Sequence, residues 1–192
     1  MQELNKDYWE KRYSNKETGW NLGAISTPIK EYTDQLTNKD LKILIPGCGF
    51  GYEAEYLYKN GFSNVHILDY AQEPLDDFLI RNPNFPVTNL HRDDFFLHEG
   101  KYDLILEQTL FCAIAPSLRK KYAEKMSQLL VKNGKLVGVL FSKNFESGPP
   151  FGGDKDEYET YFSPIFSELK MNECYNSIPP RKGSELFINF IL

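Results

Sequence analysis

The fold is decided by the stretch Ile43-Leu44-Ile45-Pro46-Gly47-Cys48-Gly49-Phe50-Gly51, which has the pattern of a buried strand running into a loop with alternate glycines. Leucine and β-branched residues suit a strand covered on both faces, and Pro46 ends its hydrogen-bond ladder. Glycine permits backbone angles and close approaches that a Cβ would prevent. Residues 52–60 have a helical pattern, which gives the order strand, glycine loop, helix. Because ligands of open α/β sheets bind at the carboxyl ends of the strands, we expect this loop to touch a ligand.

Length and charge limit the kind of protein this is. The chain has 192 residues, 41% hydrophobic and 26% charged, which predicts one domain over residues 1–192 with its own core. A net charge of −5 argues against a nucleic-acid surface, and the basic run at residues 119–121 is interpreted as the solvated side of a helix. We therefore expect a small-molecule ligand, no nucleic-acid partner and a monomer.

The cysteines and the first residues of the chain bear on the cellular compartment in which we expect the protein. Cys48, Cys112 and Cys174 are too few and too scattered for a disulfide framework or a CxxC site, and the three histidines have no metal-binding spacing, so no metal is predicted. No apolar run reaches the length of a membrane span, and the first six residues lack the layout of a signal peptide. The sequence predicts a cytoplasmic protein that does not bind membranes.

The pattern along the chain alternates helices and strands. Helices are predicted over residues 6–13, 26–36, 52–60, 73–80, 116–131 and 154–162. Strands are predicted over residues 43–46, 65–69, 86–90, 102–107, 135–141, 166–174 and 186–191. This order predicts an α/β, Rossmann-like, doubly wound sheet, mostly parallel, with an antiparallel edge from the last two strands. Residues 1–40 precede the sheet, and we expect them to form a helical cap over its ligand edge.

An acidic residue completes the first candidate site. Asp69 ends the second strand about twenty residues after the glycine loop, a combination that predicts a ribose-bearing ligand. A nicotinamide dinucleotide fingerprint would place its third glycine at position 52, whereas the chain has it at Gly51. That spacing weakens the alternative of an NAD-dependent oxidoreductase.

The Gly-x-Gly-x-Gly loop, Asp69 and the pair Asp93-Asp94 after the third strand resemble the class I S-adenosylmethionine-dependent methyltransferases. The resemblance implies that the glycine loop lies against the methionine part of S-adenosylmethionine, that Asp69 accepts hydrogen bonds from the ribose hydroxyls, and that Asp93 with Asp94 contacts adenine. The glycines concerned are Gly47, Gly49 and Gly51.

A narrower resemblance rests on five short segments in order along the chain. They are Trp9-Glu10-Lys11-Arg12-Tyr13 with Gly19-Trp20, Ile45-Pro46-Gly47-Cys48-Gly49, Thr109-Leu110-Phe111-Cys112-Ala113-Ile114, Gly148-Pro149-Pro150-Phe151, and Ile178-Pro179-Pro180-Arg181-Lys182-Gly183. Together they resemble the thiopurine methyltransferase superfamily, and within it the plant-type halide and thiol methyltransferases. The resemblance implies methyl transfer from S-adenosylmethionine to a thiol, hydrosulfide, thiocyanate or halide.

That chemistry fits a chain without a catalytic dyad. A thiolate or halide is already a nucleophile, so in-line displacement needs alignment and exclusion of water rather than an acid or base. We expect an acceptor pocket walled by Trp20, Phe111 and Phe151, whose rings favour a cationic sulfonium, with Arg181 holding an anionic acceptor. The resemblance also implies that Trp20 and Gln108 contact the cofactor. Gln108 stands where mammalian thiopurine enzymes have arginine, which favours a small acceptor.

Each of these residues also has a structural alternative. The glycines can form a turn that binds nothing, the acids can cap local backbone, and the aromatic residues can belong to the core. Arg181 can be a surface charge, and Cys48 and Cys112 are interpreted as small buried fillers. A module that binds S-adenosylmethionine without catalysis remains a further alternative.

Overall fold

Across residues 4–192, which are those the structure describes, the computed structural model contains seven strands in one sheet of order β3-β2-β1-β4-β5-β7-β6. The strands are β1 (Ile43–Pro46), β2 (Val65–Asp69), β3 (Leu90–Arg92), β4 (Tyr102–Gln108), β5 (Leu130–Phe141), β6 (Glu168–Glu173) and β7 (Glu185–Ile191). Strands β1 to β5 pair in parallel, and β7 pairs antiparallel with both β5 and β6. The predicted parallel sheet with an antiparallel edge is confirmed.

Six α-helices within the described residues cover this sheet. They are α1 (Lys6–Ser14), α2 (Thr27–Asp34), α3 (Tyr52–Lys59), α4 (Gln72–Arg81), α5 (Arg119–Leu129) and α6 (Lys155–Phe162). Alternate strand residues face opposite sides, so Ile43 and Ile45 pack with α2, α3 and α4, whereas Leu44 packs with α5 and α6. Apolar surface on both sheet faces is therefore buried, which explains the unbroken apolar runs of the central strands.

Two elements differ from the sequence prediction. The third strand is Leu90–Arg92, not residues 86–90, because Val87–Asn89 forms a 3₁₀ turn and the Asn89 side chain donates to the Val65 carbonyl at 3.1 Å. The helix predicted to reach residue 131 ends at Leu129, and Leu130 already pairs with Tyr102. Asn133 and Gly134 lie inside β5, where Asn133 takes a φ of 62°.

Within residues 4–40, the two helices pack at different places on the sheet. The part of the predicted cap at residues 1–3 lies outside the described residues. Helix α1 lies across the carboxyl ends of the strands, since Glu10 pairs with Arg92 at 2.7 Å and the Tyr13 ring stands over the glycine loop. Helix α2 instead packs on a sheet face through the fully buried Ile29. Among residues 4–192, no helix is both long enough and apolar enough to cross a membrane.

Candidate active site

A cavity of about 940 Å³ opens at the carboxyl ends of the parallel strands. Its walls come from α1 and the following loop, from the ends of β1, β2 and β4, and from loops after β3, β5 and β6. A smaller cavity of about 40 Å³ adjoins it, and Trp20, Gly47 and Thr109 line both. This is the edge at which the sequence predicted a ligand.

The three glycines have different positions in this edge. All take left-handed backbone angles, with φ of 62° at Gly47, 52° at Gly49 and 68° at Gly51. Gly47 lines both cavities and Gly49 lines the smaller one. Gly51 lines neither; it precedes α3, and a Cβ there would lie 2.6 Å from the ring of Phe78. Gly51 thus allows α4 to approach the loop, while Gly47 and Gly49 bring backbone to the cavity walls and leave room for the side chains of Leu110 and Tyr13.

Asp69 lies at the end of β2 on the wall of the larger cavity. Its Oδ2 accepts the Gly49 N–H at 2.8 Å and its Oδ1 accepts the Ala71 N–H at 3.0 Å. Burial raises the pKa of Asp69, and the hydrogen bonds from Ala71 and Gly49 act against that rise. A carboxylate has about four acceptor positions in all, and the backbone N–H groups of Gly49, Ala71 and Tyr70 act on this one, so capacity remains for a ligand hydroxyl. A vicinal diol such as that of ribose therefore fits Asp69.

Asp93 and Asp94 also line the larger cavity and at the same time organise their own loop. Asp93 Oδ1 accepts the Asp94 N–H and Asp94 Oδ1 accepts the Phe96 N–H, both at 2.7 Å. The Asp93 N–H in turn donates to the Asp69 carbonyl at 3.2 Å. The two acids are thus adjacent to Asp69. The sequence left open whether they cap local backbone or line a ligand site, and in the structure they do both.

Aromatic rings from the N-terminal segment close the cavity above the glycine loop. The Trp20 ring lies 5.5 Å from the Trp9 ring and 5.6 Å from the Tyr13 ring, both edge to face. The Arg12 guanidinium lies 5.3 Å from the centre of the Trp20 ring. Tyr13 was missed as a site residue, although it ends the first family-like segment; burial and the nearby Asp69 raise the pKa of its hydroxyl. The predicted residue Trp20 is therefore one member of a four-residue cluster.

Gln108 is the last residue of β4, and Thr109 follows it. Gln108 lines only the smaller cavity, where its Oε1 accepts the Ser26 hydroxyl at 2.8 Å. The Ser26 N–H donates to Glu53 at 3.2 Å, and burial raises the pKa of this glutamate. Gln108 is thus turned towards the start of α2, and Thr109 is the residue after β4 that both cavities share.

Phe111 and Phe151 are not on the wall of either cavity. Phe111 is 1% exposed and packs on the rings of Tyr122 and Tyr158. The Phe151 N–H donates to the Cys112 carbonyl at 2.7 Å. Their sequence neighbours line the larger cavity instead, together with Phe141 at the end of β5. The neighbours are Leu110, Cys112 and Ala113 beside Phe111, and Pro149 and Pro150 before Phe151.

Arg181 lines the larger cavity and is held by two partners. Its Nη2 donates to the Trp20 carbonyl at 3.2 Å, and its Nη1 lies 3.5 Å from Oε1 of the buried Glu185. The positive charge of Arg181 lowers the pKa of the Cys112 thiol, but burial has the larger effect and raises that pKa to about 12. Arg181 thus brings a positive charge to the wall that also contains Cys112, and it joins the last loop of the chain to the Trp20 loop.

The basic run at residues 119–121 is not a solvated face throughout. Arg119 is 1% exposed, donates to the Gly152 carbonyl at 2.7 Å and pairs with Glu157 at 2.7 Å. It therefore ties the loop carrying Pro149 and Pro150 to α5 and α6. Lys121 lies at the cavity rim with its amine 4.6 Å from the centre of the Phe96 ring.

The three histidines form a cluster that the sequence did not predict. His66 Nδ1 lies 3.1 Å from His91 Nε2, with the two rings only 6° from parallel, and His98 Nε2 lies 2.8 Å from the Tyr102 hydroxyl. Within residues 4–192, no group of three or more His, Cys, Asp or Glu side chains is arranged to hold a metal ion. The cluster supports the start of the segment that carries Asp93 and Asp94.

Solved structures with this fold define its class. The chain superposes with a TM-score of 0.73 on the 1,6-didemethyltoxoflavin-N1-methyltransferase of Burkholderia thailandensis, crystallised with S-adenosylhomocysteine, at 12% identity over 98% of this chain and 87% of that chain. Magnesium protoporphyrin IX methyltransferase of Synechocystis, crystallised with S-adenosylmethionine, gives a TM-score of 0.69 at 12% identity over 100% and 98% of the two chains. The fold is that of the class I S-adenosylmethionine-dependent methyltransferases.

Sequence comparison gives the family. The family model for thiopurine S-methyltransferase (TPMT) matches residues 4–186, and the chain belongs to this family. It is 30% identical to the probable thiol methyltransferase 2 of Arabidopsis thaliana over 96% of this chain and 84% of that protein. It is 27% identical to thiocyanate methyltransferase 1 of the same plant over 92% and 81%, and 23% identical to the thiopurine S-methyltransferase of Aliivibrio salmonicida over 89% of each. The methyltransferase prediction is confirmed, and the nicotinamide alternative has no support.

Proposed function

We propose that the chain methylates a small soft nucleophile, namely a thiol, hydrosulfide, thiocyanate or halide. One observation carries the proposal: a single cavity joins the candidate donor groups at Gly47 and Asp69 to a wall formed by Cys112, Phe141, Pro149, Pro150 and Arg181. The thiol, thiocyanate and thiopurine methyltransferases to which the chain is similar support the same acceptor class.

The donor half of the site consists of the glycine loop and the acids beside it. Asp69 accepts from the ribose hydroxyls, Gly47 and Gly49 expose backbone to the methionine part, and Asp93 with Asp94 borders the adenine. Gln108 supports this half through Ser26. When bound, S-adenosylmethionine supplies a sulfonium-activated methyl group, whose transfer to an acceptor lone pair leaves S-adenosylhomocysteine.

The acceptor half needs no acid or base from the protein: anionic acceptors react as they are, and a thiol reacts as its thiolate after losing the proton to solvent. The Cys112 thiol stays protonated because burial raises its pKa to about 12, so it is neither a base nor a nucleophile near neutral pH. Arg181 offers positive charge to an anionic acceptor, and Trp20 excludes water and faces the sulfonium. The residues of this chain thus align two reactants and keep the site dry, which is what displacement by a soft nucleophile requires.

An acceptor screen tests the proposal. Hydrosulfide, thiocyanate, iodide, an aromatic thiol and a thiopurine are incubated side by side with S-adenosylmethionine, and S-adenosylhomocysteine is measured. We expect release with the small soft nucleophiles and a far slower reaction with the thiopurine. Tight binding of S-adenosylmethionine without release in any reaction would instead indicate a binding module that does not catalyse.

The proposal also includes the oligomeric state, a monomer, and the cellular compartment, the cytoplasm. Both halves of the site come from one chain, which supports a monomer acting as one domain, and a small soluble acceptor is compatible with the cytoplasm. Sedimentation at micromolar concentration checks the first point, and fractionation of the source cells checks the second.

A further inference from the structure

Thr109 is a β-branched residue in a left-handed backbone conformation, with a φ of 67°. This conformation is strained for such a residue and persists only where the surroundings fix it. Thr109 lines both cavities, so the strained conformation lies on the wall of the candidate site itself. The neighbouring groups that fix it are therefore part of how the site is built.

Glu107 is the group that holds the segment after Thr109. It has no exposed surface, its Oε1 accepts the Phe111 N–H at 2.9 Å, and its Oε2 accepts the Tyr122 hydroxyl. One carboxyl thus connects the end of β4, the turn at Phe111 and helix α5. Burial raises the pKa of Glu107 to about 7, against the effect of these hydrogen bonds, so the buried carboxylate is costly to keep.

The segment that Glu107 holds forms a wall on both sides of the site. On the donor side, Leu110 packs so closely on Gly47 that a Cβ there would lie 2.9 Å from Leu110 Cδ1. On the acceptor side, Cys112 lines the cavity and donates from Sγ to the Thr109 carbonyl at 3.2 Å. A shift of the turn would move Leu110 and Cys112 together.

We propose that Glu107 is a positioning residue for methyl transfer: through the Phe111 N–H and Tyr122 it holds the Thr109–Ala113 segment that aligns donor and acceptor. This inference rests on the proposed function, and it adds a residue outside both cavities to the groups on which the reaction depends. Misplacement by about 1 Å in such a wall costs on the order of a hundredfold in rate.

The test compares Glu107→Leu, which removes the acceptor atoms, with Glu107→Gln, which keeps an oxygen for the Phe111 N–H. At saturating S-adenosylmethionine we expect Glu107→Leu to lower the rate of S-adenosylhomocysteine release at least about tenfold, and Glu107→Gln to stay within about threefold of the parent. Calorimetry should show a smaller loss of affinity for S-adenosylhomocysteine than of rate in Glu107→Leu, since Leu110 shifts against Gly47 while Asp69 is unchanged. Equal rate losses in the two variants would overturn the proposal.

A second readout does not depend on which acceptor is used. Alkylation by iodoacetamide is followed at each cysteine by mass spectrometry. Glu107→Leu should speed alkylation of Cys112 at least about fivefold while Cys174, which follows β6 and lines neither cavity, stays unchanged. An equal rise at both cysteines would mean general loosening and would overturn the proposal. If the parent enzyme methylates no acceptor, the proposed function fails while this readout still decides the role of Glu107.

Tyrosine variants cover the case in which Glu107→Leu does not fold. Tyr122→Phe removes one partner of the carboxyl, and Tyr58→Phe removes a hydroxyl hydrogen bond to the Asn84 carbonyl far from the site. Cys112 alkylation should be about threefold faster in Tyr122→Phe than in Tyr58→Phe. Equal rates in this pair would overturn the proposal.

Discussion

Arg181 donates a hydrogen bond from Nη2 to the backbone carbonyl of Trp20 at 3.2 Å, although 161 residues separate them in the chain. The same guanidinium is paired with Glu185, whose side chain is 5% exposed. The loop between β6 and β7 is thereby fastened to the aromatic cluster above the glycine loop. Arg181 has a structural connection to the donor half of the site in addition to its proposed contact with the acceptor.

Arg181→Gln should therefore weaken binding of S-adenosylhomocysteine, not only binding of the acceptor. We expect about a fivefold loss, equal to about 1 kcal/mol, because the Trp20 loop loses a charge-assisted hydrogen bond. The melting temperature should also fall, since Glu185 loses its cation. Calorimetry measures the affinity, with Lys182→Gln, an exposed neighbour, as the control. If Arg181→Gln binds S-adenosylhomocysteine as tightly as the parent chain does, Arg181 has no role in donor binding and acts only on the acceptor.

Asp69→Ala should weaken binding of S-adenosylmethionine by roughly 1–3 kcal/mol. The substitution removes the proposed partners of the ribose hydroxyls and also frees the Gly49 N–H from its 2.8 Å hydrogen bond. Asp40→Ala, an exposed acid before β1, is the control and should bind normally. Equal affinities of the two variants would remove Asp69 from the donor site.

Gly51→Ala and Gly23→Ala separate steric clash from backbone strain. Both positions have nearly equal φ, 68° and 71°, but a Cβ at Gly51 would lie 2.6 Å from Phe78 whereas nothing lies within 4 Å of a Cβ at Gly23. We expect Gly23→Ala to cost about 1 kcal/mol of unfolding free energy and Gly51→Ala about 1–3 kcal/mol more, because α4 must move. Urea titration gives both values. If the two variants lose similar unfolding free energy, α4 moves away from the new Cβ at position 51 without an energetic cost.

The histidine cluster should make the fold sensitive to mild acid. Burial and nearby positive charge lower the pKa of His66 and of His98 to about 4, below the value near 6.5 expected in the unfolded chain. The unfolded state then binds more protons between these values, so stability is fully present above about pH 6.5 and is lost as the pH falls towards about 4. Lys42, Lys125 and Asp93 modify the shift, and Asp93 opposes it at His98.

Urea unfolding at pH 7.5, 6.0 and 5.0 measures this loss. His98→Gln keeps a polar group for Tyr102 but does not titrate, so its stability should fall less between pH 7.5 and 5.0 than that of the parent chain. The parent and the variant losing stability in parallel would contradict the account.

The elements that local signals define could be predicted from the sequence. Strand β2 and its final acid Asp69 were predicted at their observed bounds, because a β-branched run and a preceding glycine mark both ends. Pro46 similarly marks the end of β1. At these places local sequence and tertiary structure require the same conformation, which is why the donor half of the site was recognisable.

The acceptor wall could not be predicted in the same way. A 3₁₀ turn at Phe111–Ala113 points successive side chains in different directions, so Phe111 enters the core while Cys112 lines the cavity. Thr109 has a conformation that its side chain disfavours, so no local rule indicates it. The place of Tyr13 above Gly49 depends on how α1 docks, which is a contact between distant parts of the chain.

Strand β7 lies between β5 and β6 and contributes the fully buried Ile188 and Phe190. During synthesis, β1 to β6 leave the ribosome before the strand that must separate β5 from β6 exists. Strand β5 then presents an unpaired, apolar edge, and β6 has no neighbour with which to pair. Strand β7 must therefore insert between β5 and β6 after both have been made, and the completed fold depends on this pairing forming before another chain occupies the edge of β5.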